Sequence, residues 1–274
     1  MDPTPLRIAY NTLAFPDETL EQATALGSSL GYAGIELRLV DGRLIESSMP
    51  AAERARVKQT VAAAGLPIAC VGSSVIVTKE GAGPELHRFL ELTKEWESPV
   101  VRVYGGLLAE DAGARQKQMD AAVAALEGAI PLARQLGVTI AVETHDAFSA
   151  SSVVAELLAK VQSEWVGAVW DTHHPHRMGE SPAQVYENIG RRTKHVHIKD
   201  AVPSAAHKGG WKLVPLGEGE VPVREAIRLL VADGYTGYLS VEWEKYWHPY
   251  IEKAEVVLPH ELKVLREWVG AGGG

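Results

Sequence analysis

The sequence predicts an α/β fold, a single (β/α)8 TIM barrel, from three observations. Apolar runs of strand length occur eight times, and segments with apolar residues at three- and four-residue spacing lie between them. The length of 274 residues is close to the roughly 250 that eight such units need. Strict alternation of strand and helix means a parallel sheet, because parallel neighbours need a crossover. Continuous apolar runs suit strands whose outer face is covered by helices.

The first strand is "LRIAYNT" (6–12), followed by the amphipathic "DETLEQATALGSSLG" (17–31). An open doubly wound sheet would place a Gly-rich phosphate turn after that strand, and "YNTLAFPDE" has no glycine there. The second and third strands are "AGIELRL" (33–39) and "PIACVGSSV" (67–75). "PVVRVYGG" (99–106) is the fourth, and "RQKQMDAAVAALEGAIPLARQLG" (115–137) carries the helical period into the fifth, "VTIAVET" (138–144). "VGAVWDT" (166–172), "KHVHIKD" (194–200) and "GYLSVEW" (237–243) complete the set, with "VPVREAIRLLVADGY" (221–235) as the last intervening helix read from its period. Gly31, Gly65, Gly137 and Gly234 stand where helices end before the next strand. "GAGP" (81–84) and residues 201–222 read as long βα loops. The whole chain, 1–274, reads as one domain with 269–274 as a frayed tail.

Composition narrows the function. The chain is 46% hydrophobic and 23% charged, with a formal net charge of −8, which argues against a surface that tracks phosphate backbones and hence against a nucleic-acid partner. It has no run of about 18 apolar residues, and its N-terminus lacks the basic-then-apolar layout of a secretory signal. A cytoplasmic protein with no membrane partner is expected, and a homo-oligomer is compatible with the pattern. The single cysteine, Cys70, reads as a small buried residue. It excludes a Cys-rich metal site, so any metal must be held by His and carboxylates.

In such barrels the chemistry sits at the C-terminal ends of the strands. Glu143, Asp171, His197 and Glu242 fall at or near the ends of strands five to eight, and seven of the ten histidines lie between His145 and His207. Burying several carboxylates together is costly through repulsion and lost hydration unless a cation compensates. The set therefore predicts one divalent metal ion. Three carboxylates and an imidazole rank Mn²⁺ first, with Mg²⁺, Co²⁺, Zn²⁺ and Fe²⁺ compatible, and leave coordination positions open for substrate.

These residues in this order resemble the xylose isomerase-like barrel superfamily, in particular its sugar epimerase and isomerase branch, which includes tagatose 3-epimerase, hydroxypyruvate isomerase and inosose dehydratase. The resemblance rests on Glu143, the D-x-x-H of "DTHH" (Asp171 and His174), the second histidine of "HVHIKD" (His197), the "PLGEGEVP" loop and the glutamate of "SVEWE" (Glu242). It implies that Glu143, Asp171, His197 and Glu242 bind the metal, and that Glu143 and Glu242 are the catalytic acid and base. It also implies that His174 holds a substrate oxygen. The activity implied is isomerisation or epimerisation of a sugar or polyol by proton transfer beside a metal-chelated carbonyl and hydroxyl.

Further substrate contacts are expected from Glu36, Lys199 and Trp243. Glu36 and Arg38 alternate onto one face as an internal ion pair or a polar wall, Lys199 shares the face of His197, and Trp243 lies just past Glu242. His195 is placed one layer below His197, as its support or as a core histidine. His173 is expected to pack, and His145 and His176 to face solvent.

Ketose epimerases of the branch have an arginine where this chain has Pro203. That favours an isomerase, or a dehydratase of an inosose-like ketone, over a tagatose- or psicose-type epimerase. The lack of a Gly-rich phosphate cradle favours an unphosphorylated substrate. An endonuclease IV-like nuclease would need histidines on strands three and four, which end "CVGSSV" and "VRVYGG". A non-catalytic sugar-binding barrel is the remaining alternative.

Overall fold

The structure is a computed structural model that describes residues 6–270. Eight parallel strands close into a barrel. They are β1 (Arg7–Asn11), β2 (Gly34–Leu37), β3 (Ile68–Ile76), β4 (Val100–Tyr104), β5 (Thr139–Glu143), β6 (Val166–Asp171), β7 (Thr193–Ile198) and β8 (Tyr238–Val241). Each pairs with its sequence neighbours, and β8 returns to β1 through pairs such as Ala9 with Ser240.

The outer layer contains α1 (Leu20–Leu30), α2 (Ala51–Ala63), α3 (Ala82–Glu95), α4 (Ala112–Leu136), α5 (Ser151–Lys160), α6 (Pro182–Ile189), α7 (Val223–Ala232) and α8 (Ala254–Gly270). Local chemistry sets their ends. Thr19 with Gln22 and Ser181 with Gln184 form reciprocal capping boxes at α1 and α6, satisfying backbone N–H groups that the first helical turn leaves free. Gly31 and Gly137 close α1 and α4 with φ of 83° and 69°, a left-handed conformation that costs glycine little. The α7 stripe of Val223, Ala226, Ile227 and Leu230 is buried, and each of its larger side chains contributes roughly 1.5–3 kcal/mol by leaving water.

The long loops differ from expectation. "GAGP" opens α3, whose first residue is Ala82, because Gly81 takes the left-handed conformation (φ 77°) just ahead of it. Residues 201–222 contain the second strand of an antiparallel hairpin, Asp200–Pro203 with Trp211–Val214, in which Pro203 opposes Trp211. Leu39–Val40 and Arg43–Leu44 form a smaller hairpin. At the C-terminus α8 continues through Gly270, so positions 269 and 270 of the expected tail are helical; 271–274 lie outside the described residues.

Most of the apolar core lies between strands and helices. Cys70, Val100, Ala141 and Val169 form a small separate cluster. Two-residue alternation along a strand puts Ala141 beneath Glu143, Val169 beneath Asp171, His195 beneath His197 and Ser240 beneath Glu242 on the inward face. Among the described residues no helix is long and apolar enough to cross a membrane.

Candidate metal centre

The ends of four consecutive strands bring Glu143, Asp171, His197 and Glu242 together. All four are buried, and each offers one ligand atom within 4.8 Å of the others. Register does the positioning. His197 of β7 pairs with Asp171 of β6 on one side and Ser240 of β8 on the other. Glu242 follows β8 directly, its N–H donating to Ile198 O at 2.9 Å, so it stands at the height of the strand-end residues.

Asp171 divides its carboxylate. Oδ1 accepts the N–H groups of His173 (2.8 Å) and His174 (2.9 Å), fixing the short helical turn His173–Arg177. Thr144 Oγ1 accepts the Asp171 N–H at 3.0 Å, tying β5 to β6 at this level. Oδ2 is left for the centre.

His197 Nδ1 lies 3.0 Å from Glu143 Oε1 and 3.2 Å from Glu242 Oε2. Burial disfavours its charged form, but Glu242, Glu36 and Glu143 outweigh that and hold the imidazole well above its ordinary pKa. Burial likewise opposes ionisation of Glu143, whereas Arg102 and His197 bring it below the usual carboxylate range. His197 and Lys199 do the same for Glu242. Burial pushes Asp171 up to about 6 in spite of Lys199.

The residues fit a divalent cation. Glu143 Oε2, Asp171 Oδ2 and Glu242 Oε2 are buried without a properly oriented hydrogen bond, although Arg102 and Lys199 lie close to them. Three carboxylate oxygens without a well-oriented donor, gathered around an imidazole nitrogen, suit metal coordination.

His174 stands over this group, 7% exposed, with Nε2 4.0 Å from Asp171 Oδ2 and both ring nitrogens without partners. Burial, then nearby Lys199, hold it far below its ordinary pKa, so it is neutral and keeps one donor and one acceptor. His173 packs edge-on against Trp211, with ring centroids 5.2 Å apart.

Glu36 corrects the expected substrate wall. It is fully buried, and its oxygens face His195 Nε2 at 2.8 Å and His197 Nε2 at 3.0 Å. Arg38 is not its ion-pair partner, since it donates to Gly72 O and Ser74 Oγ. Trp243 is a second correction. It is 3% exposed, belongs to the apolar core and donates from Nε1 to Glu252 O at 2.8 Å, so it braces the 243–252 loop.

Lys199 is buried with Nζ 2.9 Å from Asp171, 2.5 Å from Glu242 and 2.9 Å from Glu244. Its ammonium is thus occupied by three carboxylates. His145, expected in solvent, is partly buried instead, 4.7 Å from the His174 ring and 4.8 Å from that of Tyr104; His176 is also partly buried, beside Trp211.

Sequence reading missed Arg102, Tyr104 and Glu244. Arg102 is fully buried, with Nε 3.2 Å from Glu143 Oε2 and its guanidinium 3.9 Å above the Tyr104 ring. The signal was present. An arginine in the middle of "VVRVY" must turn inward at a barrel strand or leave a charge among helices.

The family model for the xylose isomerase-like TIM barrel matches residues 25–268. An inosose dehydratase of Clostridium botulinum (strain Eklund 17B / Type B) is 27% identical over 105 residues, 34% of this chain and 35% of that protein. The fructoselysine 3-epimerase of Escherichia coli O157:H7 is 30% identical over 89 residues, 32% of this chain and 30% of that one. The match thus spans about a third of the length of these curated relatives. The crystal structure of IOLI protein with a binding zinc atom superposes with a TM-score of 0.78 at 18% identity, covering 97% of this chain and 99% of that chain. With the family model running along nearly the whole of a closed eight-stranded barrel, the chain belongs to the xylose isomerase-like TIM barrel family.

Proposed function

We propose that this protein is a metal-dependent isomerase or epimerase of a sugar or polyol, moving a proton on the carbon beside a carbonyl. The observation that carries the reading is the convergence of four buried ligand atoms from Glu143, Asp171, His197 and Glu242 within 4.8 Å. The carboxylate-rich set favours Mn²⁺. A divalent cation bound there would polarise the carbonyl and stabilise the negative charge that develops when the adjacent C–H is deprotonated.

The chain's own residues supply the rest. Glu143 and Glu242 flank His197 Nδ1, and both are held ionised by neighbouring cations. In epimerisation one accepts the substrate proton, and the other, after taking a proton from solvent, donates it to the opposite face of the same carbon, so that each turnover leaves the first protonated and the second ionised until solvent resets the pair. Neutral His174 orients a substrate hydroxyl. Arg102 Nη2 and Arg38 Nε, buried without acceptors, are donors available to further substrate oxygens. The surrounding burial excludes water, which strengthens each of these interactions.

Dehydration of an inosose-like ketone is the second reading, favoured by the inosose dehydratase match and by Pro203 in place of the epimerase arginine. It begins with the same proton removal and then expels a β-hydroxyl. The deciding experiment incubates the Mn²⁺-loaded protein with ketoses, inososes and hydroxypyruvate in deuterated water. Solvent deuterium at carbon with no loss of water supports isomerisation or epimerisation. Deuterium uptake with a new conjugated carbonyl supports dehydration, and no exchange with any of them refutes both.

A further inference from the structure

Beneath the four-residue centre, Glu36 reaches across the barrel. Its strand, β2, pairs with β1 and β3, whereas His197 lies on β7, which pairs with β6 and β8. The Glu36–His197 contact therefore passes through the interior and not along a sheet ladder. A register shift between Ile35 and Glu36, where β2 meets β3, sets Glu36 opposite Cys70.

Glu36 Oε1 lies 3.0 Å from His197 Nε2 and Oε2 lies 2.8 Å from His195 Nε2, with Glu36, His195 and His197 all at most 1% exposed. A carboxylate only accepts, so each of these Nε2 atoms carries a hydrogen. For His197 that assignment has a consequence at the other ring nitrogen. Without metal Nδ1 also faces carboxylates, those of Glu143 and Glu242, and carries a hydrogen too; a cation bound there would displace that proton, and the hydrogen kept on Nε2 by Glu36 leaves the Nδ1 lone pair directed at the ion.

Glu36, Cys70 and His195 also form a cluster whose ligand atoms lie within 4.8 Å. It does not read as a second metal site, because both carboxylate oxygens already accept histidine N–H groups.

We propose that Glu36, pinned by His195, is the positioning residue that fixes the tautomer and orientation of His197 and so sets the affinity of the centre for its cation. The inference rests on the metal-site reading above. Neither residue touches substrate. His195 holds one carboxylate oxygen so that the other stays aimed at His197, and the pair acts entirely through that ring.

The test uses metal-stripped full-length protein titrated with Mn²⁺ by calorimetry, together with ¹⁵N-histidine NMR of the Zn²⁺-loaded form. The wild type is expected to bind one ion per chain, with His197 protonated at Nε2 and metal at Nδ1. Glu36→Gln is expected to weaken Mn²⁺ binding about 10–100-fold at unchanged stoichiometry, and to disturb the Nε2–H signal of His197. A merely structural glutamate would lower the melting temperature and leave the dissociation constant of the folded protein unmoved.

Should Glu36→Gln fail to fold, His195→Gln decides the point, with an expected loss of about 10-fold, the low end of the range, as the remaining His–Glu contact loosens. Unchanged affinity in the folded variant, metal on Nε2 of wild-type His197, or two ions per chain would overturn the proposal. Failure of the wild type to bind any divalent ion would instead overturn the metal-site reading itself.

Discussion

Asp171 and His174 are joined by more than their spacing. Asp171 Oδ1 accepts the His174 backbone N–H at 2.9 Å, while Oδ2 of the same carboxylate lies 4.0 Å from His174 Nε2. One oxygen builds the turn and the other faces the centre. Structural and functional roles can therefore be separated by substitution.

Asp171→Asn keeps an Oδ1 acceptor and removes the charge. Its melting temperature is expected to stay within a few degrees of wild type while Mn²⁺ affinity falls at least ~100-fold. Asp171→Ala also deletes two charge-assisted hydrogen bonds and should lose a further 2–4 kcal/mol of stability, roughly. Calorimetric titration beside thermal unfolding checks both. Equal metal affinity in Asp171→Asn and wild type would remove Asp171 from the ligand set.

Metal should stabilise the fold. An ion at about 1,000 times its dissociation constant adds about 4 kcal/mol to the native state, or roughly 8–16 °C of melting temperature at about this size. Thermal scans with Mn²⁺ and then with excess chelator would show the rise and its reversal. No rise in a Glu143→Gln, Glu242→Gln double variant is expected, because the centre then lacks two charges.

Arg102 and Glu143 form a fully buried pair. Removing the cation alone in Arg102→Met leaves the buried Glu143 carboxylate with His197 as its one remaining cationic partner, a loss of up to about 3–5 kcal/mol. Adding Glu143→Gln to that variant should recover more than about 1 kcal/mol. Denaturant unfolding of the four species closes the cycle, and strict additivity would show that the two residues do not interact.

Glu261 of α8 supplies a pH signature. It is 2% exposed, accepts the Leu216 N–H at 3.1 Å, and burial pushes its carboxyl up to about 8 from 4.5. Between those values the folded state holds a proton that the unfolded state has released, so stability from this group falls as pH rises, by about 1.4 kcal/mol per unit. Below about 4.5 the penalty is absent, and above about 8 it is complete. Glu261→Gln should thus gain on wild type as pH increases, by about 4 kcal/mol between pH 5 and 8. Urea unfolding at several pH values measures it. A constant difference would mean that Glu261 ionises freely in the folded protein.

The eight strands were legible because each apolar run is continuous and each break carries helical periodicity. Glu143, Asp171 and His197 could be placed at strand ends because a strand's inward face repeats every two residues. Trp243 and His145 could not be placed by the same logic, since both follow strand ends and loop geometry sets their direction. Trp243 turned inward to brace its own loop at Glu252, and His145 folded back between Tyr104 and His174. Residues 201–222 lacked a hairpin signal because their pairing is with Asp200–Pro203, across a turn containing two glycines with positive φ, Gly209 and Gly210.

The alternation of eight strands with helices, their order and the height at which four ligand-type residues emerge are written in the residues themselves, because they follow from short-range periodicity and strand length. The span of Glu36 across the interior to His197, the facing of Arg102 and Glu143, and the seat of Lys199 among three carboxylates came from the closed fold. Those contacts depend on the distance across a closed barrel. Closure is a property of all eight strands at once, and no local run of residues encodes it.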